Sequence, residues 1–238
     1  MTSVGKRCII KVMTDQVKKC VFPKGEGREM KINTDFTRIA FVGTPGAGKT
    51  TVYKILKKSI VSKETRVSFI TEAATLIMHD PITKELRESD PVAFQEKVSL
   101  TQFFLEDSGY YDAITSGAER CLQITDRAIE DMYVYLNKTQ RKELHFPIPP
   151  IEELNKRYDA VILFELYEGG ASLKAGNGLR AEKAMSDIKR VYDKSVTVYS
   201  THPNFHRVPP FENIRDKAAH VAEIVNSVVG DTVFRVEK

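Results

Sequence analysis

The chain has 238 residues, 42% hydrophobic and 29% charged, with a formal net charge of +4. This size and balance accommodate one α/β domain with a small appendage and exclude a disordered or fibrous chain. The mild positive charge suits a protein that handles small anions and falls short of the dense basic patch of a nucleic-acid binder.

In chain order, residues Arg7 to Met13 and Lys19 to Phe22 read as short strands, and "PKGEGREMKIN" supplies a turn and a further strand. Residues 1–37 are therefore expected to form a small β appendage ahead of a nucleotide-binding domain over 38–238. From Arg38 onward strand and helix signals alternate. Strands are expected at Ile39–Val42, Val67–Thr71, Cys121–Thr125, Ala160–Leu166 and Val196–Ser200. Helices are expected at Lys49–Ile60, Ala93–Asp107, Arg127–Asn137, Ala181–Asp193 and Asn213–Val228. Such alternation argues an α/β fold, a parallel sheet covered by helices on both faces as a three-layer sandwich. "HFPIPP" (145–150) is a stiff connection, and "YEGGASLKAGNGLR" (167–180) is glycine-rich. The cysteines Cys8, Cys20 and Cys121 are far apart and odd in number. They imply neither a disulfide framework nor a metal pair. No apolar run reaches membrane-spanning length and no signal-peptide core opens the chain, so a soluble, cytoplasmic protein is expected.

The stretch "RIAFVGTPGAGKTTVYKIL" (38–56) carries the strongest signal. Gly43, Thr44, Pro45, Gly46, Ala47, Gly48, Lys49 and Thr50 match G-x-x-x-x-G-K-[ST] at every fixed position, with Thr51 following. A buried-strand pattern precedes the match and helical spacing of Val52, Ile55 and Leu56 follows it, which is the context of a P-loop. Chance alone produces the fixed positions in roughly one chain in a hundred of this size at average glycine usage. Glycines let the backbone curl so that N–H groups converge on anionic oxygens, and the helix beginning near Lys49 adds its positive end. Lys49 is expected to reach the β- and γ-phosphates of ATP, and Thr50 to place its hydroxyl on Mg²⁺.

A P-loop needs an acid for the metal shell at the end of a neighbouring strand. "CLQITDRAIED" delivers Asp126, with Arg127 next and Asp131 one turn on. A metal role for Asp126 is favoured over a helix N-cap. Arg127 either braces a carboxylate or touches phosphate. The second strand delivers Glu72 to the same sheet edge, where ligands of open α/β sheets bind. Glu72 is either the group that accepts a hydroxyl proton from an acceptor or a helix-start acid favoured by the dipole. Arg180 stands where the glycine-rich segment meets a helix and is either a solvated surface residue or a lid arginine.

Together "GTPGAGKTT", "TEAAT", "TDRAIED", "YDAVILFEL" and "NGLRAE" resemble an AAA-type P-loop group. It includes the ribosylnicotinamide kinase domain of the NadR-type bifunctional enzymes, and the resemblance covers about Arg38 to Val229. It implies a nucleoside or nucleotide kinase core in which Glu72 is the motif acid, Asp126 and Arg127 the acid–arginine pair, Asp131 the following acid and Arg180 the lid arginine. Thr75 stands where that first motif commonly carries arginine. The expected function is MgATP-dependent transfer of the γ-phosphate to a small hydroxyl acceptor, a nucleoside by resemblance, with GTP as the other possible donor. The alternative is a nucleotide-dependent regulatory switch with slow hydrolysis. A Ras-type GTPase is disfavoured because "NKTQ" and "NKRY" lack the aspartate of the guanine reader. An oligomeric AAA+ motor is disfavoured because neither a helical lid domain nor paired sensor arginines is visible.

Overall fold

The computed structural model describes residues 34–146, 148–165 and 185–237. The expected β appendage up to residue 33, Cys8, Cys20, the glycine-rich stretch 167–180 and Arg180 lie outside the described residues.

Five parallel strands form one sheet in the order β2-β3-β1-β4-β5. They are β1 (Asp35–Gly43), β2 (Thr65–Ile70), β3 (Arg120–Asp126), β4 (Ala160–Phe164) and β5 (Phe205–Val208). β1 starts ahead of Arg38, since Asp35 already pairs with Arg120 of β3. Successive residues of β1 enter opposite layers. Ile39 and Phe41 pack with Val52 and Leu56 of α1 (Lys49–Lys58) and with Val221 and Val225 of α8 (Ile214–Val229). Ala40 and Val42 pack on the other face with Val191 and Tyr199 of α7 (Met185–Tyr199). Burial on both faces explains why β1 and β4 read as continuous apolar runs rather than alternating ones. The expected three-layer α/β fold with a parallel sheet is therefore observed.

Between β2 and β3 the chain forms α2 (Ala73–Ile77), α3 (Pro81–Ser89) and α4 (Pro91–Thr115). Asp90 opens α4 by accepting from the backbone N–H groups of Val92 (3.1 Å) and Ala93 (3.0 Å), and Pro91 occupies a position that needs no donor. That cap starts the helix before the expected Ala93, and its helical register runs on well past Asp107. Two further short helices follow β3: α5 (Asp131–Tyr135) and α6 (Ile151–Asn155). Arg127 has φ of +84°, which no helix accommodates, so the expected helix over Arg127–Asn137 is reduced to α5.

One expected strand is overturned. Val196–Ser200 is not a strand: residues 196–199 form the last turn of α7 and Ser200 follows it, while the fifth strand is Phe205–Val208. The β-branched run Val196, Thr197, Val198 favours a strand locally. Tertiary packing decides otherwise, because Ile188, Val191, Ser195 and Tyr199 are buried at spacings of three and four.

A buried polar seam joins α4 to the inner sheet face. Glu106 accepts from Gln102 Nε2 (3.0 Å), Tyr158 Oη (2.9 Å) and an Arg157 nitrogen (3.1 Å), and Arg38 lies 3.7 Å from the same carboxylate. Each buried charge is thus paired and hydrogen-bonded, the condition under which burial is tolerated. His202 is buried against the carbonyls of Asn155 and Tyr158, and His206 bonds Asn204. Met132 fills core space beside Ile129 and Leu154. Cys121 is a buried free thiol.

Candidate nucleotide site

β1 is flanked by β3 on one side and β4 on the other, so the connections leave its carboxyl end in opposite directions. That crevice is where open α/β sheets bind ligands. The P-loop fills it. Gly43, Gly46 and Gly48 have φ of +127°, +83° and +90°. A Cβ on Gly43 would lie 2.6 Å from the Phe164 carbonyl oxygen, so both conformation and space demand glycine there. Gly48 caps α1 in a left-handed conformation and leads directly into Lys49.

Lys49 is buried, and its Nζ donates to the carbonyls of Gly43 (2.7 Å) and Thr44 (2.9 Å). Burial pushes its ammonium down to about 8; Arg127 acts in the same direction and Asp126, Glu72 and Asp131 oppose. An anionic ligand at the loop mouth would favour the charged form further and draw the ammonium from carbonyls to phosphate oxygens. Thr50 and Thr51 are exposed on the first turn of α1, Pro45 and Gly46 are partly exposed, and Ala47 is buried.

Glu72, Asp126, Arg127 and Asp131 converge beside the loop. Arg127 is the organiser. Its Nε donates to Glu72 Oε1 (3.0 Å), and one terminal nitrogen donates to the Gly43 carbonyl (2.8 Å) and lies 3.5 Å from Asp131 Oδ2. Among the described residues it alone combines positive φ with a side chain, held there by its N–H on the Phe41 carbonyl (2.9 Å) and its carbonyl on Thr125 Oγ1 (2.8 Å). Strain of this kind, over-determined by its surroundings, is concentrated at functional sites. Of the two sequence readings of Arg127, the bracing contact is the one seen directly.

Glu72 sits at the N-cap of α2, yet its side chain makes no capping bond. Thr75 Oγ1 instead donates to Glu72 Oε2 at 2.6 Å. Burial pushes the Glu72 carboxyl up, but the Arg127 charge and the Thr75 bond together hold it below the usual carboxylate range. Thr75, the departure from the family motif, thus orients the acid. Asp126 is buried, and its Oδ1 has no hydrogen-bond partner. Burial raises its carboxyl, with Lys49 opposing. An orphaned carboxylate oxygen at the end of β3 fits a divalent cation carried in with a nucleotide's phosphates. Among the described residues no cluster of three or more His, Cys, Asp or Glu side chains stands ready to hold a metal alone.

Tyr199, Lys217 and Glu130 escaped sequence reading. Tyr199, from the helix taken in part for a strand, donates to Asp131 Oδ1 at 2.5 Å. Lys217 of α8 donates to the Ala47 carbonyl of the loop at 2.9 Å. Its sequence signal was a lysine at an apolar position of an amphipathic helix, three residues after Ile214 and four before Val221.

Glu130 is fully buried just before α5, and neither of its carboxyl oxygens accepts a hydrogen bond. Burial pushes it up to about 8, the Glu106 and Asp131 carboxyls add to the shift, and its own backbone N–H and Arg157 oppose it. The folded chain therefore keeps a proton on Glu130 that the unfolded chain releases above pH about 4.5. This contribution to stability is fully present at lower pH and is lost as pH rises toward about 8. Glu130→Gln removes the titration, so its stability relative to the parent should improve on the order of 4 kcal/mol between pH about 4.5 and about 8. Urea unfolding at the two pH values measures this; an unchanged difference would place no titrating carboxyl at Glu130.

The strand order and the loop together define a P-loop α/β protein. A family model described as an AAA domain matches residues 38–212. The chain belongs to that AAA-domain family. No curated protein matches the sequence. Among solved structures, a shikimate kinase from Acinetobacter baumannii in complex with shikimate is similar at 16% identity and a TM-score of 0.48, covering 81% of this chain and 94% of that one. A likeness of that degree bears on neither substrate nor mechanism here. No helix among the described residues is long and apolar enough to cross a membrane.

Proposed function

We propose that the protein is an MgATP-dependent phosphotransferase of nucleoside or nucleotide kinase type. The observation that carries this reading is the Arg127 bridge. One guanidinium holds a carboxylate, Glu72, and a P-loop carbonyl, Gly43, so an acid stands fixed beside the place where a γ-phosphate would lie.

In this reading Gly43 to Thr51 cradle the triphosphate, and Lys49 leaves the Gly43 and Thr44 carbonyls for its outer phosphates. Thr50 and Asp126 would hold Mg²⁺, which would supply positive charge against the phosphates. Glu72, ionised and aimed by Arg127 and Thr75, accepts a hydrogen bond from the acceptor hydroxyl and orients it for in-line attack. Lys49 and Arg180 stabilise the charge of the moving phosphoryl group. The gain comes from positioning and electrostatics rather than from a covalent intermediate. The acceptor is a small hydroxyl compound, a nucleoside such as ribosylnicotinamide being the first choice by family resemblance.

One observation favours a second reading. Glu72 is held below the usual carboxylate range, which makes it a poor proton acceptor. Slow hydrolysis of ATP or GTP in a regulatory switch would need nothing stronger. Consumption of ATP and of GTP with Mg²⁺, alone and with a panel of nucleosides that includes ribosylnicotinamide, separates the two. Stimulation by one acceptor, with a phosphorylated product seen by mass, is the expected result. Tight binding with slow turnover that no acceptor accelerates would leave the switch standing.

A further inference from the structure

Carbonyls of the P-loop are held by cations from three separate parts of the chain. Lys49 bonds the Gly43 and Thr44 carbonyls, Arg127 bonds that of Gly43, and Lys217 bonds that of Ala47. Lys217 approaches from α8, 170 positions along the chain. It is 4% exposed, and its ammonium also lies 5.6 Å from the centre of the Phe164 ring. An amino group brought into an apolar core in this way loses most of its water, so its remaining bond to Ala47 is not readily exchanged.

The Ala47 carbonyl and the Gly48 N–H belong to one peptide unit, and no cis peptide occurs among the described residues. In a planar trans peptide these two groups point in opposite directions. A carbonyl tied to α8 therefore turns the Gly48 N–H to the other side of the loop, where converging N–H groups make an anion nest. Gly48 is held there by packing too. A Cβ on it would meet Ile214 Cδ1 at 3.2 Å and Lys217 Cδ at 3.9 Å. The backbone turn at Gly48, with φ of +90°, is thus gripped by the first turn of α8.

We propose that Lys217 is a positioning residue of the phosphate loop: its bond to the Ala47 carbonyl sets the direction of the Gly48 N–H toward the phosphate chain of the nucleotide. This rests on the reading of the loop as a phosphate site. Lys217 itself makes no contact with the ligand.

The test is equilibrium binding of ATP, AMP and inorganic tripolyphosphate to the full chain as wild type, Lys217→Met, Lys217→Arg and Lys49→Ala. Methionine keeps the length and apolar stem of lysine without a donor. Lys217→Met should lose about tenfold in affinity for ATP and tripolyphosphate, the effect of one buried hydrogen bond. AMP, whose single phosphate does not reach the nest, should change by less than about twofold on the same scale. Lys217→Arg, which retains a donor, should recover most of the ATP affinity. An equal loss for ATP and AMP would show a general structural role and overturn the proposal. So would unchanged ATP affinity in Lys217→Met alongside its loss in Lys49→Ala, which would leave the phosphate-site reading intact. Failure of the wild type to bind tripolyphosphate would overturn both. Should Lys217→Met not fold, the Gly48 amide resonance of the wild type gives the answer. It should move when tripolyphosphate is added, and an unmoved resonance overturns the proposal.

Discussion

Lys49→Ala should abolish MgATP binding, with a loss of about a hundredfold or more in affinity. The reason is that a charge-assisted contact to phosphate is the strongest that a side chain can make here. Nothing else described in the loop can replace it. Arg127 is committed to Glu72 and Gly43, and Lys217 to Ala47. The substitution also leaves the Gly43 and Thr44 carbonyls without the Lys49 donor, although Arg127 still serves Gly43. A stability cost of about 1–3 kcal/mol is therefore expected as well. Calorimetric titration with MgATP, done below the melting temperature of the variant, separates the two effects. Affinity retained within threefold of the parent would remove the P-loop lysine from the mechanism.

Glu72→Gln should do the opposite: ATP binding within about twofold of the parent, and phosphoryl transfer slower by about 10²–10⁴-fold, the range for a lost acid–base group. The side chain neither caps α2 nor lies in the loop, so its removal leaves the helix start and the phosphate cradle in place. Glutamine can still accept from Arg127, and Arg127 still holds the Gly43 carbonyl. What is lost is the negative charge facing an acceptor hydroxyl. Single-turnover transfer with saturating ATP is the measurement. Transfer at the parental rate would make Glu72 a brace for Arg127 and move the base elsewhere.

The P-loop was legible because its chemistry is local. Glycines, lysine and threonine act within eight consecutive residues, and the strand before and helix after are set by short-range pattern. Asp126 and Glu72 were legible for a related reason: a parallel sheet delivers the last residue of each strand to one edge, so strand ends can be read as site positions. Their partners were not. That the Glu72 side chain does not cap its helix, and that Thr75 and Arg127 occupy its two oxygens instead, needed the tertiary structure. The reading of Val196–Ser200 as a strand failed because β-branched residues state a preference worth less than the burial of Ile188, Val191 and Tyr199 on one helical face.

By itself the sequence determined the α/β class, the position of the phosphate loop and the acids at the strand ends, since each depends on neighbours within a few residues. Tertiary structure alone decided that Arg127 braces Glu72 and the loop, that Tyr199 holds Asp131, that the Glu130 carboxyl is buried without a hydrogen bond and that Lys217 grips the loop from the last helix. The contacts among these join residues 55 to 170 positions apart. The burial that makes each of them strong arises only when the layers close over the sheet.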